Sequence, residues 1–174
     1  MKNTEKEKTP SQQAAEDLFN FAIDRTDIKE VMLGLHEEEA DIKRNTVEYE
    51  LPLLKIITVG WSISYFISHV PYKNELSEIY WNSVREFSQG LTETTKLMTG
   101  ADVDYFQVVK DRLDIYVDAM NANPDAKEPA VIIGPEFAGA CGNRDDVFTV
   151  MTGSRLFIAT AGGVKSYLEE VKLR

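Results

Sequence analysis

Five polar side chains recur at helical spacing within an otherwise apolar stretch of the chain. They are separated by three, four, three and four residues, so on one α-helix they share a single stripe. An ammonium group, hydroxyls and an imidazole on one stripe can orient a small polar or anionic ligand if the stripe lines a cleft. The five residues are Lys55, Thr58, Ser62, Tyr65 and His69.

The surroundings of this stripe leave two interpretations open. Most other residues of Leu51–Ile67 are apolar, so the stripe either faces water on a half-buried helix or lines an internal cleft. On the first interpretation Lys55 and His69 extend into solvent. On the second, Arg155 joins the ligand site, because guanidinium groups bind carboxylates and phosphates. Arg155 is the lone charge of the last long apolar stretch, and it can equally lie at the surface or pair with a loop acid such as Asp111.

The sequence offers little for catalysis or metal binding. Cys141 lies between Ala140 and Gly142 in an apolar segment, which favours a buried small side chain over a nucleophile. Neither histidine has a glutamate three residues before it, so the Glu-x-x-His pairs of a di-iron bundle are missing. Neither a Walker A motif nor a dinucleotide-binding glycine motif occurs. We therefore expect no metal and no cofactor, and an enzyme with His69 or Glu50 as general base is the least favoured hypothesis.

Charge and cysteine usage limit the compartment and the partners. The formal net charge is −10, and no segment collects lysine and arginine without matching acids. Such a chain lacks the basic patch that binds a nucleic-acid backbone or an anionic membrane, so we expect no direct nucleic-acid binding. The single cysteine excludes an intramolecular disulfide, and the charged segment at residues 1–8 is unlike a signal peptide. These features predict a cytoplasmic protein.

One apolar segment has to be tested as a membrane span. Leu51–Ile67 carries a single charge, Lys55, but it is only about 17 residues long, the short limit for a spanning helix. It also contains Pro52 and several hydroxyl side chains, and it lacks a basic flank. We predict a buried core helix here and no membrane span.

Apolar spacing and capping residues predict about seven helices. They run from Thr9 to about Arg25, from Asp27 to Leu35, from near Glu48 to Ser68, from Asn74 to Gly100, from Asp102 to about Met120, from Pro129 to Gly142, and from Val147 to Val171. Three details carry alternatives or conditions. The start of the third helix assumes that Pro52 must lie in a first turn. Residues Ala130–Ile133 are also compatible with a short strand. Residues 37–45 are compatible with a solvated helix or with a loop.

The prediction is therefore an all-α fold: a single-domain multi-helix bundle of antiparallel helical hairpins over residues 9–174, preceded by a disordered tail at residues 1–8. We expect the interior to form from Leu51–Ile67, Val131–Phe137 and Val147–Val164, which are apolar on most faces. Small residues four apart indicate close approach of helix backbones. They are Gly134, Ala138 and Gly142 in one segment, and Ala159 and Gly163 in another.

Two functional hypotheses from different classes follow. The first is a non-catalytic module that works through protein–protein contacts, with a protein partner or in a homo-oligomer. It depends on the missing catalytic motifs, the acidic N-terminal third and the large apolar content of the third, sixth and seventh helices. The second is a small-molecule-binding or sensory bundle with a cleft beside residues 55–69. Fold alone does not decide between them, because helical bundles host many unrelated functions.

Overall fold

The computed structural model describes residues 7–35 and 42–171, and these residues form seven α-helices without a strand. The helices are α1 (Pro10–Ile23), α2 (Thr26–Leu33), α3 (Arg44–Phe66), α4 (Lys73–Thr99), α5 (Tyr105–Ala122), α6 (Ala130–Ala140) and α7 (Val147–Val171). The predicted all-α fold is confirmed, and the alternative of a strand at Ala130–Ile133 is wrong. The predictions for most of the tail and for residues 37–41 concern positions outside the described residues.

Helix α3 is the centre of the bundle. It contacts each of the other six helices, and thirteen of its 23 residues are buried. Its partners cover it on all sides because Leu51, Leu54 and Ile63 point in different directions around the helix and all are at most 1% exposed. The prediction of a buried helix at this position is confirmed as far as Phe66, where α3 ends.

Local capping chemistry explains several helix ends. At the start of α1, Thr9 and Gln12 form a reciprocal capping box, in which the Gln12 amide donates to Thr9 Oγ1 at 3.2 Å. At the end of α4, Gly100 adopts φ 73°, a left-handed conformation that glycine enters without a Cβ penalty. The start of α7 is capped by Asp146, whose Oδ1 accepts from the Thr149 amide at 2.8 Å. The predicted ends at Thr9 and Gly100 are confirmed, and of Asp145 and Asp146, the two capping candidates before the last helix, the structure uses Asp146.

Other predicted boundaries are wrong for identifiable reasons. Helix α3 begins at Arg44, so Pro52 lies well inside it rather than in its first turn. Proline there removes one hydrogen bond to the preceding turn, and the burial of the rest of the helix outweighs this loss. Helix α5 is capped by Asp104, which accepts from the Gln107 amide at 2.9 Å, whereas Asp102 pairs with Lys96 at 3.2 Å.

Helices α6 and α7 approach each other closely through two glycines. A Cβ on Gly134 would lie 2.9 Å from the Val150 carbonyl oxygen, and a Cβ on Gly153 would lie 2.5 Å from Cδ1 of Phe137. The predicted close approach is confirmed for Gly134. It is wrong for Gly142, which instead ends α6 with φ 116°.

The expectation that Val131–Phe137 and Val147–Val164 are interior on most faces needs correction. Each of these helices buries one face and turns the other outward, so Val131, Val147 and Ile158 are 65%, 63% and 57% exposed. By length and composition, α7 is also apolar enough to cross a membrane, a property that core helices of soluble proteins share. The bundle therefore carries an apolar outer surface that its own helices do not cover.

Candidate functional site

The structure places Lys55 in the interior, where it serves neither interpretation of the predicted stripe. Its side chain is fully buried, and its Nζ donates to the Asp24 carbonyl oxygen at 2.7 Å and to Asp27 Oδ1 at 2.8 Å. The ammonium also lies 4.5 Å from the centre of the Phe21 ring, a distance at which the ring face attracts a cation. Lys55 thus links α3 to the corner between α1 and α2. The hydrogen-bond donors of its ammonium group are directed at other groups of the protein.

The other stripe residues separate along α3. Thr58 and Ser62 are buried, and Thr58 Oγ1 donates back to the Leu54 carbonyl oxygen at 2.7 Å. Tyr65 is exposed and stacks on Trp61 with ring centres 4.6 Å apart.

The last two predicted site residues lie apart from the stripe. His69 is exposed in the turn that follows α3, and Arg155 is exposed on α7 with its guanidinium beside Gly34. The six predicted site residues therefore do not converge on one cleft. The stripe emerges from the core as α3 reaches its carboxyl end, which spacing alone does not reveal.

A buried ion pair joins α3 to α5. Glu50 is 2% exposed, and its two carboxylate oxygens accept from Arg112 Nε at 2.8 Å and from Nη2 at 2.7 Å. This bidentate geometry is the strong form of a carboxylate–guanidinium contact, and it raises the pKa of Arg112 through the hydrogen bond to Glu50. Because both groups are committed to each other, Glu50 is not available as the general base that the sequence suggested. The two residues are 62 positions apart in the sequence, so no local sequence pattern predicts their contact.

Cys141 lies near this ion pair in an environment that suppresses its reactivity. Burial, followed by the negative charge of Glu50, raises the pKa of the Cys141 thiol to about 12. A thiol with such a pKa is protonated at neutral pH and is a poor nucleophile. The interpretation of Cys141 as a small buried side chain is therefore supported.

Two buried tyrosines provide a matched test of interior hydrogen bonding. Tyr80 and Tyr116 are both at most 1% exposed, and burial raises the pKa of each phenol. The Tyr80 hydroxyl donates to the Ile56 carbonyl oxygen at 2.7 Å, whereas the Tyr116 hydroxyl has no hydrogen-bond partner among the described residues.

We expect Tyr116→Phe to leave the free energy of unfolding unchanged or to raise it by up to about 1 kcal/mol, because it removes an unpaired buried hydroxyl. Tyr80→Phe is the control, with an expected loss of roughly 1–2 kcal/mol. Urea unfolding followed by circular dichroism measures both. A loss in Tyr116→Phe as large as that in the control would contradict the assignment.

A ligand-sized cleft lies between α3, α4 and α5, and we call it the α3–α5 cleft. Its volume is 460 Å³, within the range typical of small-molecule sites. Three aromatic side chains, Tyr49, Phe87 and Tyr105, stand among aliphatic groups on its walls, and Arg25 and Glu48 provide its charges. Neither this cleft nor a 670 Å³ groove between α1 and α4 is lined by the predicted stripe.

A second surface of interest follows the length of α7, and we call it the α7 outer face. Its residues are four, four, three, four, four and three positions apart, so they share one side of the helix. All are exposed, and the first half is apolar apart from one arginine. The residues are Val147, Met151, Arg155, Ile158, Gly162, Ser166 and Glu169.

Metal binding finds no support in the described part of the chain. Among residues 7–35 and 42–171, no group of three or more histidine, cysteine, aspartate or glutamate side chains is arranged to hold an ion. The acidic groups that do enter the interior, such as Glu50 and Asp27, are bound to basic side chains.

Comparison with known proteins adds no assignment to these surfaces. The chain matches no protein-family model, no curated protein and no solved structure.

Proposed function

We propose that the protein is a non-catalytic, self-associating helical module, and that the α7 outer face is the surface on which a second copy docks. The observation that carries the proposal is the exposure of Val147, Met151 and Ile158 at 63%, 44% and 57% along one side of a long helix. Several water-exposed apolar residues on one side of a helix are typical of a surface that another protein covers. Two observations support a role without catalysis. The interior ion pairs Lys55–Asp27 and Glu50–Arg112 engage their charged groups with each other, and the raised pKa of the buried thiol makes it a poor nucleophile.

The small residues of the α7 outer face fit a helix–helix contact. Gly162 is exposed, and a Cβ placed on it would lie more than 4 Å from every other helix. Ala159 precedes it by almost one turn and is also exposed. A neighbouring helix can therefore approach the α7 backbone here more closely than elsewhere on the face.

The charges of the face favour a second copy as the occupant. Arg155 lies seven residues before Gly162, and Glu169 lies seven residues after it, which is about two helical turns in each direction. If two α7 helices cross antiparallel at Gly162, each Arg155 therefore meets Glu169 of the second copy. Two equivalent ion pairs then flank one crossing point, as two-fold symmetry requires.

Light scattering at tens of micromolar protein tests this proposal. We expect a dimer for the unaltered chain, and we expect Arg155→Glu and Glu169→Arg each to raise the dimer Kd at least about tenfold, since each creates like-charge contacts. The double variant restores opposite charges and should recover dimerisation. Arg85→Glu on the exposed surface of α4 is the control and should have no effect.

Two results would overturn the proposal. One is an unaltered chain that stays monomeric up to several hundred micromolar. The other is a dimer that all three charge variants leave intact, because the α7 outer face would then lie outside the interface. Loss of dimerisation in both single variants without recovery in the double variant would overturn the antiparallel arrangement.

A further inference from the structure

The α3–α5 cleft has walls that suit a flat apolar group. Tyr49, Phe87 and Tyr105 come from three different helices and face one space of 460 Å³. Phe87 and Tyr49 remain 37% and 46% exposed, so the bundle leaves their ring surfaces partly uncovered. Aromatic side chains hold another ring through offset or edge-to-face contacts, which add to the affinity gained from simple burial.

The charged groups of the cleft form an open pair. Arg25 Nη2 and Glu48 Oε1 are 3.6 Å apart, beyond normal hydrogen-bond distance, and each side chain is 53% exposed. By contrast, Glu50, two residues further along α3, accepts two short hydrogen bonds from Arg112 of α5. Arg25 therefore keeps donors, and Glu48 keeps acceptors, that a bound molecule can use.

We propose that the α3–α5 cleft binds a zwitterionic α-amino acid with an aromatic side chain. Such a molecule carries a carboxylate and an ammonium group on one carbon, which matches the adjacent guanidinium and carboxylate of Arg25 and Glu48. Its ring then enters the space between the aromatic walls. A simple carboxylic acid meets the negative charge of Glu48, and a simple amine meets the positive charge of Arg25, so each single-charge analogue is disfavoured.

The binding is expected to be weak. Both charged groups are half-exposed, and ion pairs formed at such positions contribute little because water and salt screen them. With most of the affinity coming from the ring, we expect a Kd of roughly 0.1–1 mM. A site of this strength suits a molecule that is present at comparable concentration.

Nuclear magnetic resonance titration of the isotope-labelled full chain tests the assignment with L-phenylalanine, 3-phenylpropionate and 2-phenylethylamine. The second probe lacks the ammonium group and the third lacks the carboxylate. We expect amide shifts around Tyr49, Phe87 and Tyr105 to saturate with L-phenylalanine, and the other two probes to bind at least about tenfold more weakly. Equal affinity for all three, or no shift with L-phenylalanine at about 10 mM, would overturn the proposal.

Substitutions at the pair separate the two contacts. Arg25→Gln should weaken L-phenylalanine binding and abolish its advantage over 2-phenylethylamine, whereas Glu48→Gln should abolish its advantage over 3-phenylpropionate. Arg85→Gln and Glu93→Gln, on the exposed surface of α4 outside the cleft, are the controls. All four positions are exposed, so folding is retained, which thermal unfolding verifies. Affinity that is unchanged in both cleft variants would remove Arg25 and Glu48 from the site.

Discussion

We expect Gly153→Ala to lower the free energy of unfolding by about 3 kcal/mol, although alanine is a better helix former than glycine. The new Cβ would lie 2.5 Å from Cδ1, 2.7 Å from Cγ and 2.9 Å from Cβ of Phe137. Phe137 is 0% exposed and cannot swing outward, so α6 and α7 must separate. Thermal unfolding should show a Tm about 6–12 °C lower for a chain of this size.

The control for this substitution is Gly90→Ala on α4. No atom lies within 4 Å of a Cβ built there, and the change should raise stability by up to about 1 kcal/mol through helix propensity. Phe137→Leu combined with Gly153→Ala should recover part of the loss, because the smaller side chain makes room for the methyl group. Equal stability of the Gly153→Ala and Gly90→Ala variants would show that the α6–α7 contact is looser than described.

The second large effect is expected from Glu50→Ala. Removal of the carboxylate leaves the Arg112 guanidinium without its two hydrogen bonds in a mostly buried position, where its side chain is 24% exposed. Breaking a buried ion pair from one side destabilises by about 3–5 kcal/mol, and partial access of water to Arg112 places this case near the lower end. Urea unfolding measures the difference.

Glu48→Ala is the matched control for this prediction, two residues away on the same helix. Its partner Arg25 lies 3.6 Å away and both are half-exposed, so the expected loss is below about 1 kcal/mol. Replacing both partners, as in Glu50→Leu with Arg112→Leu, should recover most of the stability lost in Glu50→Ala. Equal losses in the free energy of unfolding for Glu50→Ala and Glu48→Ala would show that the interior ion pair stabilises the fold no more than the exposed pair does.

Local chemistry made part of the fold predictable. The caps at Thr9 and Gly100 depend on neighbours within a few residues, so they could be predicted from the sequence, whereas the cap of α7 stayed open between Asp145 and Asp146. Where two candidates compete, as Asp102 and Asp104 do, residue type alone does not select the cap: Asp104 accepts from the Gln107 amide, and Asp102 pairs with Lys96. The start of α3 was missed because the apolar contacts along its length retain a proline in its interior.

The six predicted site residues do not meet in one cleft, and the reason is a different one. Helical spacing correctly aligned Lys55, Thr58 and Ser62 on one side of α3, but it cannot state which helix faces that side. The corner between α1 and α2 packs against that side, and its Asp24 and Asp27 oxygens accept hydrogen bonds from the Lys55 ammonium. The α3–α5 cleft arises between elements far apart in sequence, and the α7 outer face is one side of a single helix that the bundle leaves uncovered. Only the exposure of each residue in the folded bundle identifies them.

The central place of α3 has a consequence for biosynthesis. Its apolar sides are closed only when α6 and α7 pack against it, and these helices leave the ribosome about a hundred residues later. A nascent chain that ends before residue 147 lacks α7 and therefore leaves the apolar side of α3 that α7 covers exposed to water or to a chaperone. Of the seven described helices, α7 is therefore the last to be synthesised and the one that completes the cover of α3.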